Sequence, residues 1–112
     1  MNFDEACRTV SSEIAELVIN KQRDYGHDNI LAFGEFGILV RTNDKVARLK
    51  NLIKKNSEGV TEPRLDAWRD IAGYAIIALM IDRGWFQLEL EDIVSHQKLP
   101  LPQKKIKEVW GL

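Results

Sequence analysis

At 112 residues, 45% hydrophobic and 29% charged, the chain has material for one globular domain and no clear surplus for a second. Its net charge of −1 gives no electrostatic footprint for DNA or RNA, so nucleic acid is not an expected partner. One cysteine, Cys7, excludes an internal disulfide framework, and the longest apolar run, Ala75 to Ile81, is too short to span a bilayer. With no basic-then-apolar leader pattern at the N-terminus, a signal peptide is not expected, membrane contact is not expected, and the cytoplasm is the expected compartment.

The first predicted element runs from about Asp4 to Arg23. Phe3, Val10, Ile14, Leu17 and Val18 recur at three- and four-residue spacing and make one apolar helix face. Lys21 falls on that face, and Gly26 is a natural stop. After a connector at His27 to Asn29, a second helical stretch covers about Ile30 to Lys55. Ile38, Leu39, Val46, Leu49, Leu52 and Ile53 share one side of it, with Glu35 and Thr42 projecting onto that side. Thr42-Asn43-Asp44 has the chemistry of an N-cap, so the stretch reads as one helix or two, and Ser57-Glu58-Gly59 ends it. The third helix starts at Thr61 or Glu62, takes Pro63 in its first turn and ends at Gly84. From Ile71 to Ile81 it is apolar nearly all round, the pattern of a helix covered on most sides. Leu88 to His96 could form a fourth helix, Pro100 and Pro102 impose an extended stretch, and Gln103 to Trp110 could close the chain as a short helix.

The expected fold is therefore all-α, a three- to four-helix antiparallel bundle with an extended C-terminal tail. It forms one domain over residues 1–112, core about 3–84 and tail about 85–112. One copy has little with which to cover the third helix, so a homodimer or homotetramer is expected, with the tail lying across a neighbour. Trp85, Phe86 and Trp110 are expected to be exposed, which would suit a helical interaction module.

Glu62, Asp66 and Asp70 step by four and stack on one face of the third helix, on a line that continues into Gly73, Tyr74 and Ile77. Carboxylates entering a core repel one another and need a cation; Mg²⁺ or Mn²⁺ would supply one and would also take phosphate oxygens. A solvated acidic helix start accounts for Glu62 well and for Asp70 poorly. Glu35, on an apolar face, needs a partner or a metal unless its terminal turn reaches water. Arg41, Asp44, Lys45, Arg48 and Lys55 form a charged sector that either pairs in solvent or reaches phosphates. Lys21 either snorkels or brings a cation into a pocket between helices. Tyr25 or Trp68 could stack on a base. His27 and His96 lack metal-ligand spacing.

Taken together, Lys21-Gln-Arg-Asp24-Tyr25-Gly26, Asn29, Phe33-Gly34-Glu35-Phe36-Gly37, Arg41-Thr-Asn-Asp44-Lys45-Val-Ala-Arg48-Leu49-Lys-Asn51-Leu52 and Asp66-Ala-Trp-Arg-Asp70-Ile-Ala-Gly73-Tyr74 resemble the small phage and bacterial nucleotide modification associated domain. A looser similarity is to the MazG-like all-α nucleoside triphosphate pyrophosphohydrolases, which hold Mg²⁺ with a G-E-x-G-E-L motif and an E-x-x-D motif. Gly34 to Leu39 resembles the first motif with Ile38 in place of its second acid, and Asp70 matches the last acid of the second, with Ala67 where its Glu would stand. The resemblance implies a Mg²⁺-dependent nucleotide hydrolase. In it Glu35, Asp66 and Asp70 are catalytic, those three and Glu62 hold metal, and Lys21, Asp24, Tyr25, Arg41, Asp44, Lys45 and Arg48 face the nucleotide. The missing acids favour the alternative, a nucleotide-binding protein without turnover.

Overall fold

The protein is seen in a computed structural model that describes residues 1–26 and 34–91. The connector at His27 to Asn29, the start of the second helix at Ile30, His96, Trp110, the Pro100–Pro102 stretch and the closing helix all lie outside the described residues.

Three helices make the fold: α1 (Phe3–Tyr25), α2 (Gly34–Lys54) and α3 (Arg64–Asp82), with no strand among the described residues. Asn2 caps α1, its side-chain oxygen accepting from the Glu5 N–H at 2.8 Å, and Asp4 and Glu5 place negative charge at the positive end of the helix dipole. Gly26, at φ +71°, ends it and returns its N–H to the Gln22 carbonyl. α2 is a single helix. The Thr42 hydroxyl donates to the Ile38 carbonyl one turn back, at 2.8 Å, so it serves the helix interior and does not start a new one.

α2 and α3 close in the same way. Asn56, at φ +52°, follows α2; its N–H reaches the Ile53 carbonyl, and the Ser57 N–H reaches Leu52. Gly84, at φ +72°, follows α3 and repeats the pattern, with Gly84 bonding Ile81 and Trp85 bonding Met80. Both are left-handed caps in which a residue tolerant of positive φ satisfies the last carbonyls. The stop of α2 is thus Asn56, one residue before the expected Ser57-Glu58-Gly59 break. Pro63 occupies the N-cap position of α3 instead of its first turn.

The residues facing one another fix the packing. Along α2, Arg48, Lys45 and Arg41 decrease in number as their partners on the α3 side, Glu62, Asp70 and Tyr74, increase, so the two helices run antiparallel. Along α1, Val18 meets Gly73 and Lys21 meets Asp70, again antiparallel. α3 is therefore the central helix, and α1 and α2, both antiparallel to it, run in the same direction as each other. Gly73 permits the close approach of α1: a Cβ there would stand 3.3 Å from Val18 Cγ2. Val18, Ile38, Tyr74, Ile77 and Phe86 form the core, with Ile14, Ile76 and Met80 packed against it.

The structure corrects several expectations. Phe86 is buried beneath α3, because the chain turns back after Gly84 and tucks its ring into the core, whereas Trp85 is exposed with Arg83 stacked 4.9 Å from its ring centroid. Leu88 to Glu91 is not helical, so a fourth helix does not begin at Leu88. On α1 Val18, Lys21 and Gln22 are buried and Ile14 is partly so; Phe3 and Val10 lie on turns that overhang the bundle and stay exposed. On α2, Ile38, Leu49 and Leu52 are buried while Leu39 and Ile53 face outward, so the apolar face is narrower than the spacing suggested.

Candidate functional site

The junction of the three helices is polar. Asp70, 3% exposed, projects from the middle of α3 toward α1 and α2. Its two oxygens are shared between two lysines: Lys21 Nζ from α1 stands 3.2 Å from Oδ1, and Lys45 Nζ from α2 stands 3.1 Å from Oδ2. Lys21 also donates a hydrogen bond to Oδ1. Burial pushes the Lys21 ammonium below its ordinary pKa, and Asp70 pulls in the opposite direction through charge and hydrogen bonding. Lys45 and Asp66 are close enough to act on Lys21 as well, the first lowering its pKa and the second raising it.

One turn along α3 from Asp70 stands Tyr74. Burial, and then the Asp70 charge, hold its phenol above the usual tyrosine range; Arg41, which hydrogen-bonds to it, works the other way. Asp44 acts on the same phenol from α2. The site thus joins Lys21, Arg41, Lys45, Asp70 and Tyr74, drawn from all three helices. The local reason is helical phasing. Ile38, Arg41, Lys45, Leu49 and Leu52 lie along one side of α2, so the same stripe that buries leucines carries a lysine and an arginine inward. Lys21 follows Ile14 and Val18 on α1 in the same manner.

The remaining candidates separate. Asp66 is half-buried and pairs with Arg69 three residues on, at 2.9 Å. Glu35 is exposed in the first turn of α2, where it reaches water and favours the helix dipole. Glu62 is half-buried in the connector, and its backbone carbonyl accepts from Arg48, which also reaches the Pro63 carbonyl at 3.5 Å. Arg48 therefore braces the entry to α3. It does so across Gly59, at φ +102°, where any Cβ would collide with the Glu62 carbonyl. Asp24 and Asp44 are exposed. Tyr25, half-buried, lies one turn beyond Lys21 on α1. Trp68 lies on the opposite side of α3 from Asp70 and is not part of this cluster.

Among the described residues no three carboxylate, histidine or cysteine side chains stand together as a metal-binding group. The charge compensation that the acidic stripe demanded of a divalent ion comes instead from two lysines. A divalent ion at Asp70 would have to displace both ammonium groups, so this arrangement is not a ready cradle for Mg²⁺ or Mn²⁺. Sequence reasoning read Tyr74 only as core; its hydroxyl one turn from a buried acid was the available signal.

No helix among the described residues is long and apolar enough to cross a membrane. The chain matches no protein-family model, no curated protein and no solved structure.

Proposed function

We propose that the chain binds a nucleotide, or a closely related phosphorylated small molecule, without turning it over. The observation that carries this reading is the convergence of Lys21, Lys45 and Arg41 on one carboxylate and one phenol at the helix junction. Lysine ammonium and arginine guanidinium groups are the side chains that hold a phosphate through charge-assisted hydrogen bonds, and here three of them gather at one place. Tyr25, one turn from Lys21 and packed at the edge of the core, is the ring proposed to meet a base. The likeness of the Lys21–Gly26 and Asp66–Tyr74 segments to nucleotide-modification domains supplies the ligand class. Binding is favoured over Mg²⁺-dependent hydrolysis because Ile38 and Ala67 stand where the resembled motifs carry acids, and because Asp70 is paired with two lysines.

The test is calorimetric titration of a panel of nucleoside mono-, di- and triphosphates, with Mg²⁺ and with chelator, alongside chromatography of the mixtures. The expected result is binding that survives chelation, weakens at least about tenfold in Lys45→Ala, and yields no product. Release of pyrophosphate in Mg²⁺ would reinstate the hydrolase reading. Failure of every nucleotide to bind would overturn the proposal.

A further inference from the structure

The outward side of α3 carries an apolar stripe. Leu65, Trp68, Ala72, Ala75 and Leu79 recur at alternating three- and four-residue steps, and at about 100° per residue they point away from Asp70. Leu65, Trp68 and Leu79 are 55%, 53% and 64% exposed, and Ala75 is exposed as well. Ile53 of α2, exposed beside Trp68, widens the stripe; between them runs a groove of about 410 Å³ lined mainly by Val46, Leu49, Ile53, Trp68 and Ile71.

We infer that this stripe docks a second copy of the chain, α3 against α3, antiparallel about a two-fold axis between Gly73 and Tyr74. Three features of the stripe select that occupant. The order of side chains is self-complementary. In this register Ala72 faces Ala75 of the other copy, so the backbones approach closely at the centre, and Trp68 faces Leu79, so each leucine enters the groove beside the opposing indole. The charges at the ends match too. Arg64, held 2.9 Å from Glu58 of its own chain, lies on the same edge of α3 as Asp82, one turn outside Trp68 and Leu79, and the two-fold brings Asp82 of the other copy beside it. Finally, the area reaches the threshold: complete covering of the exposed parts of these residues would bury roughly 500 Å² per copy, or about 1,000 Å² for the pair, the lower bound for a specific interface. The polar cluster at Asp70 lies on the far side of α3 and takes no part.

Sedimentation velocity of the full chain tests the inference. A dimer with a micromolar dissociation constant is expected. Ala75→Glu, which alters only an exposed position, should give a monomer of unchanged helical circular dichroism. Asp82→Arg should weaken association at least about tenfold by setting like charges together, and adding Arg64→Asp should restore it. A wild-type chain that is monomeric at about 100 µM, or whose dimer Ala75→Glu leaves intact, overturns the inference. If the double charge variant associates no better than Asp82→Arg alone, this antiparallel register is wrong.

Discussion

The two sides of α3 reverse the usual arrangement of a soluble helix. The side facing the rest of the molecule carries a carboxylate and a phenol among small and apolar residues; the side facing outward is leucine, tryptophan and alanine. Both belong to one nineteen-residue helix with almost no hydrophobic asymmetry, so apolar character alone does not orient it. The charged residue does. A carboxylate can be buried only where counter-charges meet it, and α1 and α2 each bring one lysine to Asp70. In a helix that is apolar all round, the charge marks the inside.

Breaking the inner side should produce the largest effect. Asp70→Asn keeps the shape but removes the buried carboxylate that Lys21 and Lys45 share, and a loss of about 3–5 kcal/mol in denaturant unfolding is expected. Relief of repulsion within the acidic stripe, which would make the same variant more stable, is outweighed because Asp66 is occupied by Arg69 and Asp70 by the two lysines. Ile77→Ala, at a position only 1% exposed, should cost about 2–5 kcal/mol. Tyr74→Phe removes the hydroxyl that Arg41 meets; about 1 kcal/mol is expected, together with loss of one of the two late-ionising phenols, Tyr25 being the other, from an ultraviolet titration.

A pH series sharpens the comparison. The unfolded chain keeps the Lys21 proton up to about its ordinary 10.5, whereas the folded chain, where burial lowers this pKa, releases it earlier. Between the lowered value and 10.5 the unfolded state holds more protons, so this lysine makes stability rise with pH across that window. Urea unfolding of wild type and Lys21→Met should show the rise only in the wild type. Above 10.0 the raised phenol of Tyr74 opposes it, since there the folded state holds the proton that the unfolded state has lost. The smallest effect belongs to the outer side. Leu79→Ala, two residues from Ile77, should change the stability of the separated chain by less than about 0.5 kcal/mol. A large loss there would mean that the outward stripe is structural within one copy.

The all-helical fold was legible because amphipathic spacing in α1 and α2 and the glycine stops are local features. So was the burial of Asp70 and Lys21, each set in phase with apolar neighbours. What was hidden is pairing across distance. Lys21 and Asp70 are 49 residues apart in sequence, and no local pattern says that a lysine rather than a metal ion will answer a buried carboxylate. Lys45 was read as part of a sector that either pairs in solvent or reaches phosphates, and its register with Leu49 and Leu52, which turns it toward Asp70, was not used. The overhang of α1 was hidden for a similar reason: periodicity at Phe3 and Val10 describes a face, and a face is buried only as far as its partner extends.

The brace at Arg48 has a consequence for how the molecule assembles. α2 and α3 are joined by the short link from Lys55 to Pro63, which Gly59 lets fold tightly and Arg48 closes against the Glu62 carbonyl. Their contacts are close in sequence, so this helical hairpin can form with little loop-closure cost, while α1 must be captured from much farther along the chain through Lys21. The hairpin is then the early folding unit, and α1 is the last to arrive and the first to leave. Native-state hydrogen exchange should find the overhanging turns of α1 opening fastest and the α2–α3 hairpin protected longest.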